Sequence, residues 1–375
     1  MNIRKLETQE HEKTRKLWED VFLEDTQAFL DYYYFIKAKE NEIWVIEEEE
    51  EIQSMLQLNP YPLSVAGHRF LCCYIVAVAT RKEYRSRGYM GSLLRRAMQQ
   101  MYEKKQPFTF LMPAAEGIYT PYDFRFVYGQ RQAVFEKREE AEPVDETDAT
   151  LFQAGELAMF AEERLAGQAR VYAERDAQYY QTRVLEQQSE NGGIRMLKKD
   201  GKLVGSYCYA KEEACEILEP LILPGYEHVF LDSISGFDED VVKVLACPDE
   251  LVSCAKTVET KPMIMIRILR LEVLFSTLQV REGESLCCSF AVIDPILKGN
   301  SRIWRLCSLE EGGIQATETE NSQGVLTIGA LTEFVFGYRS VSDLNSDPDV
   351  HLSQELEQEL EKILPLSPVF LNEIV

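Results

Sequence analysis

Thr80-Arg81-Lys82-Glu83-Tyr84-Arg85-Ser86-Arg87-Gly88-Tyr89-Met90 is the stretch on which the reading of this 375-residue chain turns. Ahead of it runs Leu71-Cys72-Cys73-Tyr74-Ile75-Val76-Ala77-Val78-Ala79, an apolar segment that reads as a buried strand. Behind it comes Leu93-Leu94-Arg95-Arg96-Ala97-Met98, whose apolar residues fall at helical spacing. A strand, a basic Gly-containing turn and a helix therefore follow one another. That geometry aims backbone N–H groups and the positive end of a helix at one spot, which suits a phosphate or pyrophosphate. Gly88 has no Cβ and permits close backbone approach. From Arg81 to Lys105 there are eight basic residues against two acids, a local excess of positive charge fit for a ligand with several phosphates. A solvated helix face accounts for Lys104 and Lys105.

Elsewhere the chain is acidic, with a formal net charge of −23 at pH 7. That argues against nucleic acid as a partner, because its binders carry basic patches. It suits cationic partners, although solubility alone also explains it. A hydrophobic content of 45% is globular rather than disordered. No apolar run reaches the roughly 20 residues that span a bilayer, and the first thirty residues lack a signal-peptide core. A cytoplasmic protein that does not contact membranes is expected. The nine cysteines include two adjacent pairs and no C-x-x-C, and most sit in apolar context, so buried free thiols are expected. The four histidines are scattered, and no metal site is expected.

Working outward, residues 1–39 carry helical patterns with Trp18, Phe22, Phe29 and Tyr32 to Phe35, read as core in preference to pocket lining. Ile43–Ile46 and Ile52–Leu56 read as a hairpin around a solvated glutamate turn (47–51). Phe108–Met112 is a further strand. Residues 136–150 are charged, contain Pro143 and read as a linker; 151–184 read as helical. Strands around 193–197, 203–210 and 215–222 echo the first unit without its phosphate loop. Strand-like segments then run from 287 to 328, with helices at 330–336 and 352–363. The chain closes on the apolar stretch Leu364–Val375, stiffened by Pro365 and Pro368, which reads as a docked tail.

Arg85-x-x-Gly88-x-Met90 resembles the pyrophosphate loop of GCN5-related N-acetyltransferases, R/Q-x-x-G-x-G/A, with Met90 off-pattern and Gly91 directly after it. Tyr119-x-x-x-Asp123-Phe124 is similar to the family's Y-x-x-x-G-F element, with Asp123 in place of Gly. Asp tolerates left-handed backbone better than most residues. With the GALTEFVFGYRS segment (329–340) and the apolar end, the whole layout resembles the Eis-like acetyltransferases. The resemblance implies an α+β chain of two fused acetyltransferase folds and a domain like sterol carrier protein 2. The implied limits are 1–138, 139–272 (degenerate) and 273–375.

Further implications are acetyl-CoA as co-substrate and a homohexamer. Val78, Ala79 and Thr80 would hold the pantetheine arm, and the loop of Arg85, Ser86, Arg87, Gly88, Tyr89, Met90 and Gly91 would hold the pyrophosphate. Tyr119 would serve as general acid to the departing thiolate, with Tyr122 as the fallback. The carboxylate of Val375 would be the base. The acceptor expected is a cationic primary amine of the aminoglycoside or polyamine kind, met by acids such as Asp25, Asp31 or Glu116. Two other readings stand beside it: a non-catalytic acyl-CoA or lipid sensor, which the off-pattern Met90 and Asp123 keep open, and a protein lysine acetyltransferase.

Overall fold

The computed structural model describes residues 2–211, 215–309 and 313–373. One twisted sheet organises the first three quarters of the chain. Its strands are β1 (Asn2–Lys5), β2 (Glu42–Glu48), β3 (Glu51–Val65), β4 (His68–Thr80), β5 (Phe108–Leu111), β6 (Arg125–Glu136), β7 (Asp145–Asp148), β8 (Val171–Ala173), β9 (Gly193–Lys199), β10 (Lys202–Lys211), β11 (Cys215–Ile222), β12 (Val241–Leu245) and β13 (Thr257–Ile268). Twelve of them lie in the order β1-β2-β3-β4-β5-β13-β6-β12-β11-β10-β9-β7, and β8 pairs with β3 off this path.

That order contains two copies of one motif. β1 to β4 are antiparallel and β5 lies parallel to β4; β7, β9, β10 and β11 are antiparallel and β12 lies parallel to β11. Each copy gives its last strand to the other. β6 leaves the first unit to pair with β12, and β13 leaves the second to pair with β5. The two exchanged strands pair with each other over a long register, from Thr257↔Val134 to Ile266↔Arg125. The units are thus joined through backbone hydrogen bonds as well as side-chain packing.

The helix Tyr89–Glu103 covers the first unit with Leu93, Leu94, Ala97, Met98 and Met101 buried, the apolar stripe read from sequence. The N-terminal aromatics form a cluster of their own around Trp18, Phe29 and Tyr33, and Tyr33 is fully buried. The C-terminal region builds a five-stranded sheet around Phe290, Trp304 and Leu306. It is fused to the first unit: Phe108 and Phe336 stack edge-on at 5.2 Å. Arg267 of β13 forms a fully buried pair with Asp294 at 2.6 Å, and the other Asp294 oxygen accepts from Asn300.

Several expectations need correction. Residues 136–150 are not a bare linker, because β7 pairs with β9. Residues 151–184 are not one helical stretch: β8 interrupts the helices Ala154–Ala166 and Ala177–Ser189. β8 exists because it receives Val369–Phe370 from the far end of the chain (Val369↔Val171) and also pairs with β3. In the glutamate run, Glu47 is paired with Arg4 at 2.7 Å within β2, and only Glu49 and Glu50 make the turn, both with positive φ. Cys254 and Cys287 are exposed and Cys307 is half-buried; the other six thiols are buried.

Candidate active site

The site begins with a bulge. β3 advances from Met55 to Gln57 while β4 advances from Val76 to Ala79, so β4 holds one extra residue, with Ala77 at φ 50°. Beyond it β4 and β5 part, their pairing being confined to Tyr74↔Phe110. The β5-facing edge of Val78, Ala79 and Thr80 is therefore released from the ladder. On the β3 side Ala79 and Thr80 are held firmly, as the Ser54 hydroxyl reaches the Ala79 carbonyl at 2.9 Å and the Thr80 hydroxyl at 2.8 Å. Such a half-paired edge offers backbone donors and acceptors to an extended amide-containing arm.

The basic turn follows. Arg85 Nε donates to the Thr80 carbonyl at 3.1 Å, folding the turn back on the strand end. Arg87 lies over the Tyr84 ring at 4.6 Å. Ser86 and Gly88 both have positive φ, and Gly88 caps the helix at φ 80° with no side-chain cap. A helix start leaves its first N–H groups without intrahelical partners, and no side chain takes them here. A Cβ on Gly88 would meet nothing within 4 Å, so the space before these N–H groups is open. Charge, free donors and room coincide, and the turn fits a pyrophosphate. Off-pattern Met90 does not crowd it: the side chain turns inward and packs against the core. Gly91 is the residue that closeness demands, because a Cβ there would lie 2.3 Å from the Tyr122 hydroxyl.

Tyr119 ends the short helix Glu116–Tyr119 beyond β5. It is buried, packs edge-on to Phe124 at 5.9 Å, and its phenol is pushed up to about 12 by that burial alone. Among the described residues no hydrogen bond to its hydroxyl is seen. Burial raises the phenol of Tyr74, at the fork of β4 and β5, and the neighbouring Tyr61 and Tyr119 add to it. Tyr122 instead sits against Gly91 with Arg95 over its ring at 5.2 Å. Asp123 adopts the left-handed conformation, φ 62°, that the family's Gly would supply.

A cavity of about 680 Å³ lies between the two units, reaching from Met112 at the end of β5 to β11 and β12. Six carboxylates line it (Glu24, Asp25, Glu186, Glu190, Glu216 and Glu219) against one arginine, Arg183. Asp25 was anticipated; Asp31 and Glu116 are not among the lining residues. Asp31 pairs with Arg15 at 2.7 Å, and Glu116 is exposed near Tyr338. The five carboxylates that sequence reasoning missed come from three segments far apart in the chain (Glu24; Glu186 and Glu190; Glu216 and Glu219), and no local pattern joins those segments. Of the N-terminal aromatics, Trp18, Phe29 and Tyr32 to Tyr34 are buried core and Phe22 packs against them, but Phe35, read as core, is exposed because it lies on the outer face of its helix; none of them lines this cavity.

The tail runs to the same place. Leu371, Asn372 and Glu373 are buried, with Asn372 on the cavity wall. The Asn372 side-chain oxygen accepts from Tyr128 at 3.1 Å and Gln130 at 3.0 Å. Glu373 pairs with buried Arg175 at 3.0 Å, and Arg175 also pairs with Glu219. Burial pushes the Glu219 carboxyl above its ordinary value. Val375, expected to supply the base, lies outside the described residues. Among the described residues no group of three or more His, Cys, Asp or Glu side chains is placed to hold a metal, and no helix is long and apolar enough to cross a membrane.

A fold of this kind with this loop defines an acyltransferase. Residues 2–127 match the family model of the acetyltransferase (GNAT) domain, and residues 271–372 match that of the sterol carrier protein domain. By these models the chain carries a GCN5-related acetyltransferase domain at its start and a sterol-carrier-like domain at its end, and with the second fused unit between them the layout is the Eis-like arrangement. It is an enzyme of that acyltransferase class. Over its whole length it is similar to a probable N-acyltransferase from Enterococcus faecalis (18% identity, 97% of each chain, TM-score 0.84). It is also similar to a GCN5-related N-acetyltransferase from Anabaena variabilis (14% identity, 99% of each chain, TM-score 0.82). Eis1 from Mycobacterium abscessus matches at 14% identity, covering 99% of this chain and 100% of its own (TM-score 0.72). No curated protein matches the sequence. The fold implies an acyl-CoA co-substrate.

Proposed function

We propose that the chain transfers the acetyl group of acetyl-CoA to a primary amine of a cationic small molecule of the polyamine or aminoglycoside kind. The observation that carries this is the acidic lining of the cavity beside Met112 at the end of β5, where six carboxylates stand against one arginine and three of them (Glu186, Glu216 and Glu219) are seen in ion pairs with Arg183, Lys243 and Arg175. A polycation would be drawn in and held there, and a concave site of this volume suits a small amine better than a protein surface. The co-substrate supplies an activated acyl group as a thioester.

The chain's own residues do the rest. The open edge at Val78, Ala79 and Thr80 orients the pantetheine arm. The turn from Arg85 through Ser86, Arg87, Gly88, Tyr89, Met90 and Gly91 anchors the phosphates. Holding amine and thioester together supplies most of the rate gain. The amine must lose a proton, and the Val375 carboxylate at the end of the docked tail is the proposed base, acting directly or through water. Tyr119 is the proposed acid. Its phenol, at about 12, is a weak donor to an ordinary thiolate of pKa about 8.5. The same burial makes a thiol a weaker acid: Cys73, inside the neighbouring core, is pushed up to about 11. Burial of the departing thiolate would raise its basicity in the same direction and narrow that gap.

We further propose a cytoplasmic location and a homohexamer. The test is mass spectrometry of products after mixing N-terminally tagged protein with acetyl-CoA and a panel of polyamines and aminoglycosides. An acetylated amine is expected. Binding of acetyl-CoA without any product would overturn the reading in favour of a sensor, whereas acetylated lysine on a peptide panel alone would overturn the small-molecule acceptor. A C-terminal tag should abolish turnover where an N-terminal tag does not; equal activity would remove Val375 from the mechanism.

A further inference from the structure

Cys287 and Cys307 lie directly opposite each other on the antiparallel strands Cys287–Ile293 and Ile303–Ser308 of the C-terminal sheet. The ladder fixes what kind of pair they are. Ser308 N–H donates to the Leu286 carbonyl and Val292 N–H to the Arg302 carbonyl, each at 2.9 Å. Both are directly opposed pairs, so the hydrogen-bonded positions fall on even numbers of the first strand. Cys287 and Cys307 therefore form a non-hydrogen-bonded pair, the position at which side chains approach most closely, with Cα atoms about 4.5 Å apart. That spacing is within the range a disulfide spans. The two Sγ atoms are 3.1 Å apart, Cys287 is exposed and Cys307 half-buried. Arg305, on the same face two residues before Cys307, places a guanidinium nitrogen 3.6 Å from Cys287 Sγ. A cation at that distance favours a thiolate. The Cys287 thiol is correspondingly held below its ordinary value, by its contacts with Cys307 and Arg305, while that of Cys307 is raised by burial and by Cys287. None of the groups near the acyltransferase site takes part, and a strand pair packed into the domain would need neither the exposure nor the arginine.

We propose that Cys287 and Cys307 are a reversible redox site, which a low-molecular-weight disulfide such as oxidised glutathione converts to an intramolecular disulfide. The Cys287 thiolate attacks one sulfur of the small disulfide, forming a mixed disulfide and expelling one thiolate. Cys307 loses its proton to solvent and attacks Cys287 Sγ, expelling the second thiolate. Two protein thiols are oxidised, one small disulfide is reduced to two thiols, and no other reactant is consumed. Closing the bond needs the sulfurs to approach by only about 1 Å, from contact to the S–S length of about 2.05 Å. Cys254, the other exposed cysteine, contacts the Ser253 hydroxyl and faces no second exposed thiol among the described residues, so it is expected to stop at the mixed disulfide.

The test treats the full-length protein with oxidised glutathione, blocks remaining thiols with N-ethylmaleimide and maps the peptides by mass spectrometry. Expected is a linked Cys287–Cys307 peptide, lighter by two hydrogens than its parts and reversed by dithiothreitol, beside a glutathionylated Cys254. Recovery of Cys287 and Cys307 as separately blocked thiols, or as two separate glutathione adducts, would overturn the proposal. Cys307→Ser should trap the glutathione adduct on Cys287; an adduct-free Cys287 in that variant would overturn the assigned order of attack.

Discussion

The two fused units carry the same bulge and differ in what stands around it. In the first, the extra residue is Ala77, and the strand runs on into a basic turn whose glycine cap leaves helix N–H groups free. In the second, β10 advances from Ser206 to Cys208 while β11 advances from Leu218 to Leu221, and the extra residue is Glu219, at φ 54°. There the next helix, Glu227–Ile234, starts beside a carboxylate of its own: Glu227 accepts from Gly225 N–H at 2.9 Å. An anion already occupies the place where a phosphate would bind, and no basic run replaces the lost charge. The second unit has also turned its bulge inward, using Glu219 to hold Arg175 and, through it, Glu373 of the tail. A single backbone device thus opens a strand edge beside the proposed ligand site in one copy and docks the C-terminal segment in the other. Strand geometry alone does not specify function; the polarity of the side chains at the following helix start does.

The sharpest way to break this division of labour is at Tyr119, the acid proposed for the first unit. Tyr119→Phe removes only a hydroxyl that makes no hydrogen bond among the described residues, so fold and acyl-CoA affinity should hold. Turnover should fall by roughly 10²- to 10⁴-fold, the usual contribution of a positioned acid. Initial rates and calorimetric titration with coenzyme A measure the two quantities. An unchanged rate would move the role to Tyr122 or to solvent. On the second unit's side, Arg175→Met should act on stability. It leaves Glu219 and Glu373 buried without their cation, a loss of about 3–5 kcal/mol, seen as a lowered denaturation midpoint. The deficit should shrink on acidification, as the two carboxyls protonate. A Tm unaltered at neutral pH would show that the tail is held by β8 pairing alone.

A paired substitution compares the two helix starts directly. Gly88 and Gly225 both have positive φ (80° and 89°), and a Cβ on either meets nothing within 4 Å. Valine at each should cost about 1–2 kcal/mol of backbone strain. Only Gly88→Val should also weaken coenzyme A binding, by about 5- to 30-fold if the loop relaxes to relieve that strain. Equal affinities in the two variants would mean that the loop does not hold the phosphates.

How much of this was legible in the sequence follows from what is local. The phosphate turn, the helix behind it, the Tyr119 element and the left-handed Asp123 are each written within a dozen residues, and the family resemblance was carried by them. The bulge at Ala77 was not legible, since an extra residue in a strand has no composition of its own. The exchange of β6 and β13 was hidden for a different reason. Neither segment was singled out as a strand, and even alternation of apolar and polar residues says nothing about which neighbour a strand chooses. β8, three residues long, becomes a strand only because Val369–Phe370 returns beside it from nearly 200 positions away. The acidic cavity shows the same limit most clearly: Asp25, Glu186 and Glu219 are unremarkable charges until three distant segments converge.

The smallest effect concerns the residue that departs from the family pattern. Asp123 keeps the left-handed turn but places a carboxylate in a largely buried position, where one oxygen has no hydrogen-bond partner among the described residues and the other lies 3.7 Å from Arg125. Burial raises its carboxyl, outweighing the opposing pull of Arg267 and Arg125. A carboxyl raised in the folded state favours folding only while protonated. That contribution is complete below the unfolded value of about 3.9 and is lost as pH rises through the higher folded value. At neutral pH the ionised group therefore works against the fold. Asp123→Asn retains the tolerance for positive φ and removes the charge. Its Tm should exceed that of the parent at pH 7 and converge with it toward pH 4. A Tm difference independent of pH would show that Arg125 and Arg267 neutralise the carboxylate in the folded protein, and that the position is governed by backbone geometry alone.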